Sequence, residues 1–234
     1  MKKLLSILLS LLILLLPMLA CAQEHSARED MIDDILAAAK KLYDNAGGKL
    51  QKAHYAGDKY LCKNFTVYVF KQAAGKYRMA EFPDKELVIP NNLPKKECKP
   101  YHYGIEWESI DAKDGNPFEI GAQFKYDKAL SKKENIQKAT DFMKQVQKGD
   151  YFQMSAKYYY GVGAHSLIFI ADYDAENNTV HWTDSNMKGQ SKGGIRYGLP
   201  QWDAQKKIDW FVDAFCRPGR GATLYRLRQD IIAK

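Results

Sequence analysis

The chain has 234 residues, 46% hydrophobic and 27% charged, with 35 Lys and Arg against 28 Asp and Glu. That length and apolar content exclude a chain too small or too polar to bury a core, and fit one domain or one domain with an appendage. The formal charge of +7 suits an anionic partner (cell-wall polymer, membrane surface or nucleic acid) and says nothing about fold.

Residues 1–22 read as a secretory signal peptide. Lys2 and Lys3 form its charged end, Leu4 to Leu16 its apolar stretch, and Pro17 the break before the small residues Ala20-Cys21-Ala22. Cleavage after Ala22 would release a protein starting at Gln23. Alternatively, Met18-Leu19-Ala20-Cys21 resembles a lipoprotein signal that places a lipid anchor at Cys21. Both routes predict export: a periplasmic or secreted protein, or an envelope lipoprotein. Loss of Lys2 and Lys3 leaves 33 basic and 28 acidic residues, a net charge near +5.

Cys62, Cys98 and Cys216 remain under either route. In an oxidising compartment thiols tend to pair, and an odd number leaves one over. The economical expectation is a Cys98–Cys216 disulfide with Cys62 free. The alternative is three reduced, buried thiols.

Along the chain, apolar residues at three and four spacing predict a helix over 27–44, ended by Gly47-Gly48. A linker over 49–57 carries His54 and Tyr55. In 58–72 two principles conflict. The run from Phe65 to Phe70 is β-branched and aromatic, which favours a strand. A helix starting near Asp58, with Asp58 as N-cap, instead places Cys62, Phe65, Thr66, Val69 and Ala73 on one face. The helix is the expectation adopted.

Residues 73–130 read as irregular and proline-punctuated, with strands expected at 86–89, 101–108 and 118–126. Ser131-Lys132-Lys133-Glu134 is a capping box that opens a helix over 131–148, stopped by Gly149. Gly149-Asp150 then opens an apolar stretch. Tyr158-Tyr159-Tyr160 and a Gly loop precede His165, which leads the run 166–171. After an Asp- and Asn-rich turn, a second strand over 179–183 delivers Asp184-Ser185-Asn186. Residues 188–198 read as a glycine-rich basic loop containing Arg196, 200–215 as a helix, and 222–227 as a closing strand. No internal repeat is present.

If the strands at 166–171 and 179–183 pair as a hairpin, an imidazole meets a group able to orient it. Cys62 supplies a nucleophile for that pair. Other chemistries lack their motifs: there is no His-Glu-x-x-His, no Cys-x-x-Cys and no phosphate-binding Gly-Lys-Ser/Thr loop. A zinc site from His165, His181 and Asp184 is conceivable, but the spacing does not demand it.

Cys62 in Tyr60-Leu61-Cys62-Lys63-Asn64-Phe65, then Gly149-Asp150, then a strand headed by His165, then Asp184-x-Asn186, resembles the CHAP family, close to NlpC-type cell-wall cysteine peptidases. The resemblance covers 55–70 and 148–187, about a quarter of the chain. It implies an α+β fold with a papain-like core, in which a Cys-bearing helix packs on an antiparallel sheet. It implies one domain over 23–234, with 73–130 as an inserted segment. It casts Cys62 as nucleophile, His165 as acid–base, Asp184 as orienter and Asn186 as a polarising group. Tyr55 corresponds to a tyrosine that lines the site in NlpC-type relatives. Arg196 would give a positive rim for acidic stem peptides.

The expected function is an exported cysteine amidase or endopeptidase that hydrolyses amide bonds of peptidoglycan peptides. That partner displaces nucleic acid, and no cofactor or metal is called for. Two rivals stand beside it: a non-catalytic module binding cell wall or peptide on the same fold, and a metal-dependent hydrolase.

Overall fold

The computed structural model describes residues 26–53, 59–88, 115–158, 161–190 and 196–234. The signal segment, His54, Tyr55, Asp58, Cys98 and the strand expected at 101–108 lie outside these residues. Among the described residues no helix is long and apolar enough to cross a membrane.

In chain order the elements are α1 (Ala27–Ala46), β1 (Gln51–Ala53), α2 (Cys62–Ala74), β2 (Tyr77–Met79), β3 (Phe118–Lys125), α3 (Lys132–Met143) and β4 (Tyr151–Tyr158). They continue as β5 (Gly161–Phe169), β6 (Thr179–Gln190), β7 (Arg196–Lys207), α4 (Ile208–Phe215), β8 (Gly221–Leu227) and β9 (Ile231–Ala233). Seven strands form one sheet in the order β1-β7-β6-β5-β4-β8-β3, with every neighbouring pair antiparallel. β2 and β9 form a separate antiparallel pair. The class is α+β, as expected.

Helices cover both faces of the sheet, and strand alternation assigns the residues. Tyr151, Ile168 and Tyr225 face α1 and α2, where they join Met31, Ile35, Phe65, Val69 and Phe70 in one cluster. Their neighbours Phe152, Leu167, Phe169 and Leu224 face α3 and α4, with Phe142, Phe211 and Phe215. Each such large apolar side chain contributes about 1.5–3 kcal/mol when fully buried. Cys216 is buried in this second cluster and forms no disulfide among the described residues; Cys98, its expected partner, lies outside them.

α1 and α3 start where local chemistry says they should. Ser26 accepts from the Glu29 N–H while the Glu29 carboxylate accepts from the Ser26 N–H. Ser131 and Glu134 repeat this at α3. α3 stops at Met143, short of the expected Lys148, because the following turns fold back under Asp150. Asp150 is fully buried: it accepts the Gln147 N–H at 2.9 Å and a two-pronged pair from Arg226 at 2.8 and 2.7 Å. Gly149 has φ 85, and a Cβ there would meet Ile32 of α1 at 2.7 Å. The Gly-Asp step is therefore a joint that locks β4 to β8 and α1.

Four sequence expectations are corrected. Residues 86–88 form no strand. Within 73–130 the strand expected at 118–126 is present as β3, an edge of the main sheet, but 77–79, read as irregular, form β2, which pairs with β9. Residues 200–207 continue β7 and are not helical; only 208–215 coil. Long-range pairing with β6 overrides the amphipathic pattern there, and Pro200 lies beyond the Gly198 end of β1, where the missing N–H is tolerated. Arg196 opens β7 opposite Ala53 and Gln190, half-buried in the sheet, so it does not lie in a loop rim.

Candidate active site

The site forms where two paired strands part. β5 and β6 pair at Ile168–Thr183 and Phe169–Trp182. His165 and Asp184 lie beyond these pairs, on the side where α2 begins. Both are mid-strand, because β5 starts at Gly161 and β6 runs on to Gln190. Each buried backbone is held by its strand neighbours, which fixes the side chains more firmly than strand ends would.

Cys62 is the first residue of α2. The preceding Leu61 offers no side-chain cap. The helix start is held by contacts from far along the chain. The Ser185 hydroxyl donates to the Tyr60 carbonyl at 2.7 Å. Gly198 of β7 lies against the same carbonyl, where a Cβ would come within 1.6 Å of the oxygen. This explains why the helix begins later than Asp58: the turn before Cys62 is pinned to β6 and β7.

The geometry links three expected residues in series. The Cys62 thiol is hydrogen-bonded to His165. His165 Nε2 donates to Asp184 Oδ2 at 2.7 Å, which leaves Nδ1 for the sulfur. His165 and Asp184 are buried, and Cys62 is half-buried. Burial pushes the Cys62 thiol up. The hydrogen bond and charge of His165, the Lys63 backbone N–H and the Lys63 charge outweigh it, holding the thiol below its ordinary 9.0. Burial would lower the His165 pKa, yet hydrogen bonds and charge from Asp184 and Cys62 push it up to about 10. The two shifts have one cause: each group, when charged, favours the charged form of the other.

Asn186 takes a different place from the one expected. Its Nδ2 donates to Asp184 Oδ2 at 3.1 Å and to Gln201 Oε1 at 3.4 Å. It steadies the carboxylate and makes no bond to the imidazole. Sequence reasoning missed Trp182, whose Nε1 donates to the same Oδ2 at 3.0 Å. The alternation Trp182-x-Asp184-x-Asn186 on a strand was the available signal. Tyr151 was also missed. It lies beneath the site, donates to Ser166 Oγ at 3.2 Å, and is kept protonated by burial, with the Cys62 charge adding to the effect.

His181 points elsewhere, with Nδ1 2.6 Å from Asp203 Oδ1. Among the described residues no three His, Cys, Asp or Glu side chains are grouped to hold a metal. A cavity of about 230 Å³ lined by Lys71, Gly75, Arg78 and Glu86 lies at the other end of α2. At 1.5 Å rise per residue it is roughly 15–20 Å from Cys62.

No family model, curated protein or solved structure matches this chain. What the site can do is read from its own groups: a half-buried thiol at a helix N-terminus held below its ordinary pKa, an imidazole beside it whose protonated form is favoured, and the buried Asp184 behind. That set can attack a carbonyl carbon and protonate a leaving group.

Proposed function

We propose that the protein is an exported cysteine amidase or endopeptidase that cleaves amide bonds of peptidoglycan peptides, on a papain-like core. The observation that carries this reading is the series Cys62–His165–Asp184, with Cys62 at the uncapped start of α2. The peptidoglycan substrate is supported by the resemblance to CHAP and NlpC-type enzymes and by the basic charge of the chain.

The Cys62 thiolate attacks the amide carbonyl carbon, and the π electrons move onto oxygen. The Cys62 backbone N–H, unpaired within the helix at its first position, donates to that oxyanion. Collapse of the intermediate breaks the C–N bond, and His165 gives its proton to the departing amine. A water then attacks the thioester while His165 takes its proton, and the thiolate leaves with the carboxylic acid released. Asp184 keeps the imidazole in one tautomer and supports its positive charge throughout.

The test is mass analysis of purified peptidoglycan after incubation with the protein. New free amine and carboxyl ends are expected with the wild type and none with Cys62→Ala. Intact peptidoglycan, together with slow alkylation of Cys62 at pH 6, would return the chain to the binding-module reading.

A further inference from the structure

Asp184 is fully buried, and a buried carboxyl group is costly unless hydrogen-bond donors meet its oxygens. Among the described residues no Lys or Arg pairs with it; its one cationic neighbour is His165. Its remaining donors, the Trp182 indole and the Asn186 amide, are neutral and sit on its own strand. All three donors converge on Oδ2, and among the described residues Oδ1 has no partner.

Trp182 has little freedom to leave this position. Its ring meets Phe211 edge-on at 5.2 Å and stacks with Trp210 at 6.5 Å. Its backbone pairs with Phe169 on one side and Ala204 on the other. Just past it, Thr183 opposes two residues of β7, Trp202 and Asp203, and Asp203 adopts φ 52. A bulge of this kind re-aims neighbouring side chains. An apolar ring alone would fill the space between Phe211 and Trp210; what an indole adds is the N–H.

We propose that Trp182 is a positioning residue for this centre: its indole N–H, seconded by Asn186, holds the Asp184 carboxylate turned toward His165. The inference rests on the cysteine-hydrolase reading and adds to it a residue that touches neither thiol nor imidazole. The charged or titratable groups around the thiol–imidazole pair are Asp184 from β6, Cys62 and Lys63 from α2, and Tyr151 from β4. Removing the indole donor weakens the first of these and leaves the others in place.

The experiment compares the wild type with Trp182→Phe, Trp210→Phe and Asp184→Asn. It reads the His165 titration by NMR and the pH profile of Cys62 alkylation by iodoacetamide. A hydrogen bond to a charged group is worth enough that Trp182→Phe should lower the His165 midpoint by about one pH unit and slow alkylation at pH 6 about five- to tenfold. Trp210→Phe should leave both readings at wild type. If Trp182→Phe matches the wild type while Asp184→Asn shifts both readings, the positioning role is overturned and the hydrolase reading stands. If Cys62 in the wild type is not alkylated at pH 6, the hydrolase reading fails and takes this inference with it. Should Trp182→Phe fail to fold, the wild-type indole N–H resonance decides. It should move with pH in step with His165 and shift in Asp184→Asn, and an indole signal blind to both overturns the proposal.

Discussion

The N-termini of α1 and α3 are closed, and that of α2 is open. In the first two, a serine and a glutamate three residues on satisfy first-turn N–H groups reciprocally. In α2 the cap position is Leu61, which bonds nothing through its side chain. A missing Ser or Asp cap costs a helix about 1 kcal/mol. The cost leaves backbone N–H groups beside Cys62 without a side-chain competitor, and the Lys63 N–H bonds the sulfur. α2 is held instead by its buried face, Phe65, Val69, Phe70 and Ala73, and by the Ser185 bond to Tyr60. α4 also starts without a side-chain cap, at Lys207, so an open start alone does not mark chemistry; what sets α2 apart is that Cys62 stands at it.

The largest effects should fall on the open start. Cys62→Ala and His165→Ala should each abolish turnover, and the double variant should lose no more, because thiolate and imidazole act as one unit. Cys62→Ala should melt close to wild type, whereas His165→Ala strips the buried Asp184 of its cationic partner and should melt lower. A Cys62→Ala protein that melts far lower yet keeps its activity would show that α2 is merely another packing helix. Asp184→Asn should keep a trace of activity, with turnover down about 10³- to 10⁴-fold, since an orienter does not join the bond changes. Asn186→Ala should be milder, because Asn186 bonds the carboxylate and Gln201 and not the imidazole, and Trp182 still holds the carboxylate.

Gly198→Ala attacks the open start through the backbone. A methyl group 1.6 Å from the Tyr60 carbonyl oxygen forces β7 or the turn before Cys62 to move. Displacing a nucleophile by about 1 Å can cost roughly a hundredfold in rate, so turnover should fall by that order. Wild-type turnover in Gly198→Ala would show that the pinned turn does not set the position of Cys62.

A pH series sharpens the contrast further. The His165 pKa rises on folding from an ordinary 6.5 to about 10. A raised pKa means the folded state favours the protonated ring, so this stabilisation is whole below 6.5 and is lost as pH climbs through 10. The stability gap between wild type and Asp184→Asn, measured by denaturant melts, should therefore shrink across that window. A gap that widened instead would mean that Asp184 holds a neutral ring.

What was legible in the sequence follows the same division. The capping box of α3 is local and located that start from residues within one turn, whereas α1 was read from its apolar spacing and its Ser26–Glu29 box was missed. α2 was legible as a helix against the strand propensity of Phe65 to Phe70, yet its start was placed near Asp58. The contacts that move it come from Ser185 and Gly198, more than a hundred residues away. The order Cys62, His165, Asp184 was readable because each residue type has few other uses in that pattern. Trp182 was given no role, because the parting of β5 from β6 and the bulge opposite Thr183 decide which side chains converge. Residues 200–207 looked helical through Trp202 and became strand because β6 offered a long partner.

The smallest effect should come from the closed start of α3. Ser131→Ala removes the side chain that accepts the Glu134 N–H at 3.2 Å. The Glu134 carboxylate still reaches the Ser131 backbone N–H at 2.8 Å, so half of the box survives. The expected loss is about 0.5–2 kcal/mol of unfolding free energy, read as a lower midpoint in a urea melt. α3 packs on the face of the sheet opposite α2, through Ala139, Phe142 and Met143. Substitutions this far from a site, with no shared partner, add independently. Turnover and the alkylation rate of Cys62 should therefore stay at wild-type values in the folded protein, and the double variant Ser131→Ala with Cys62→Ala should show the two losses side by side. If Ser131→Ala slowed the chemistry while the protein remained folded, the two helix faces would be coupled through the sheet, and the division between capped and open starts would lose its meaning.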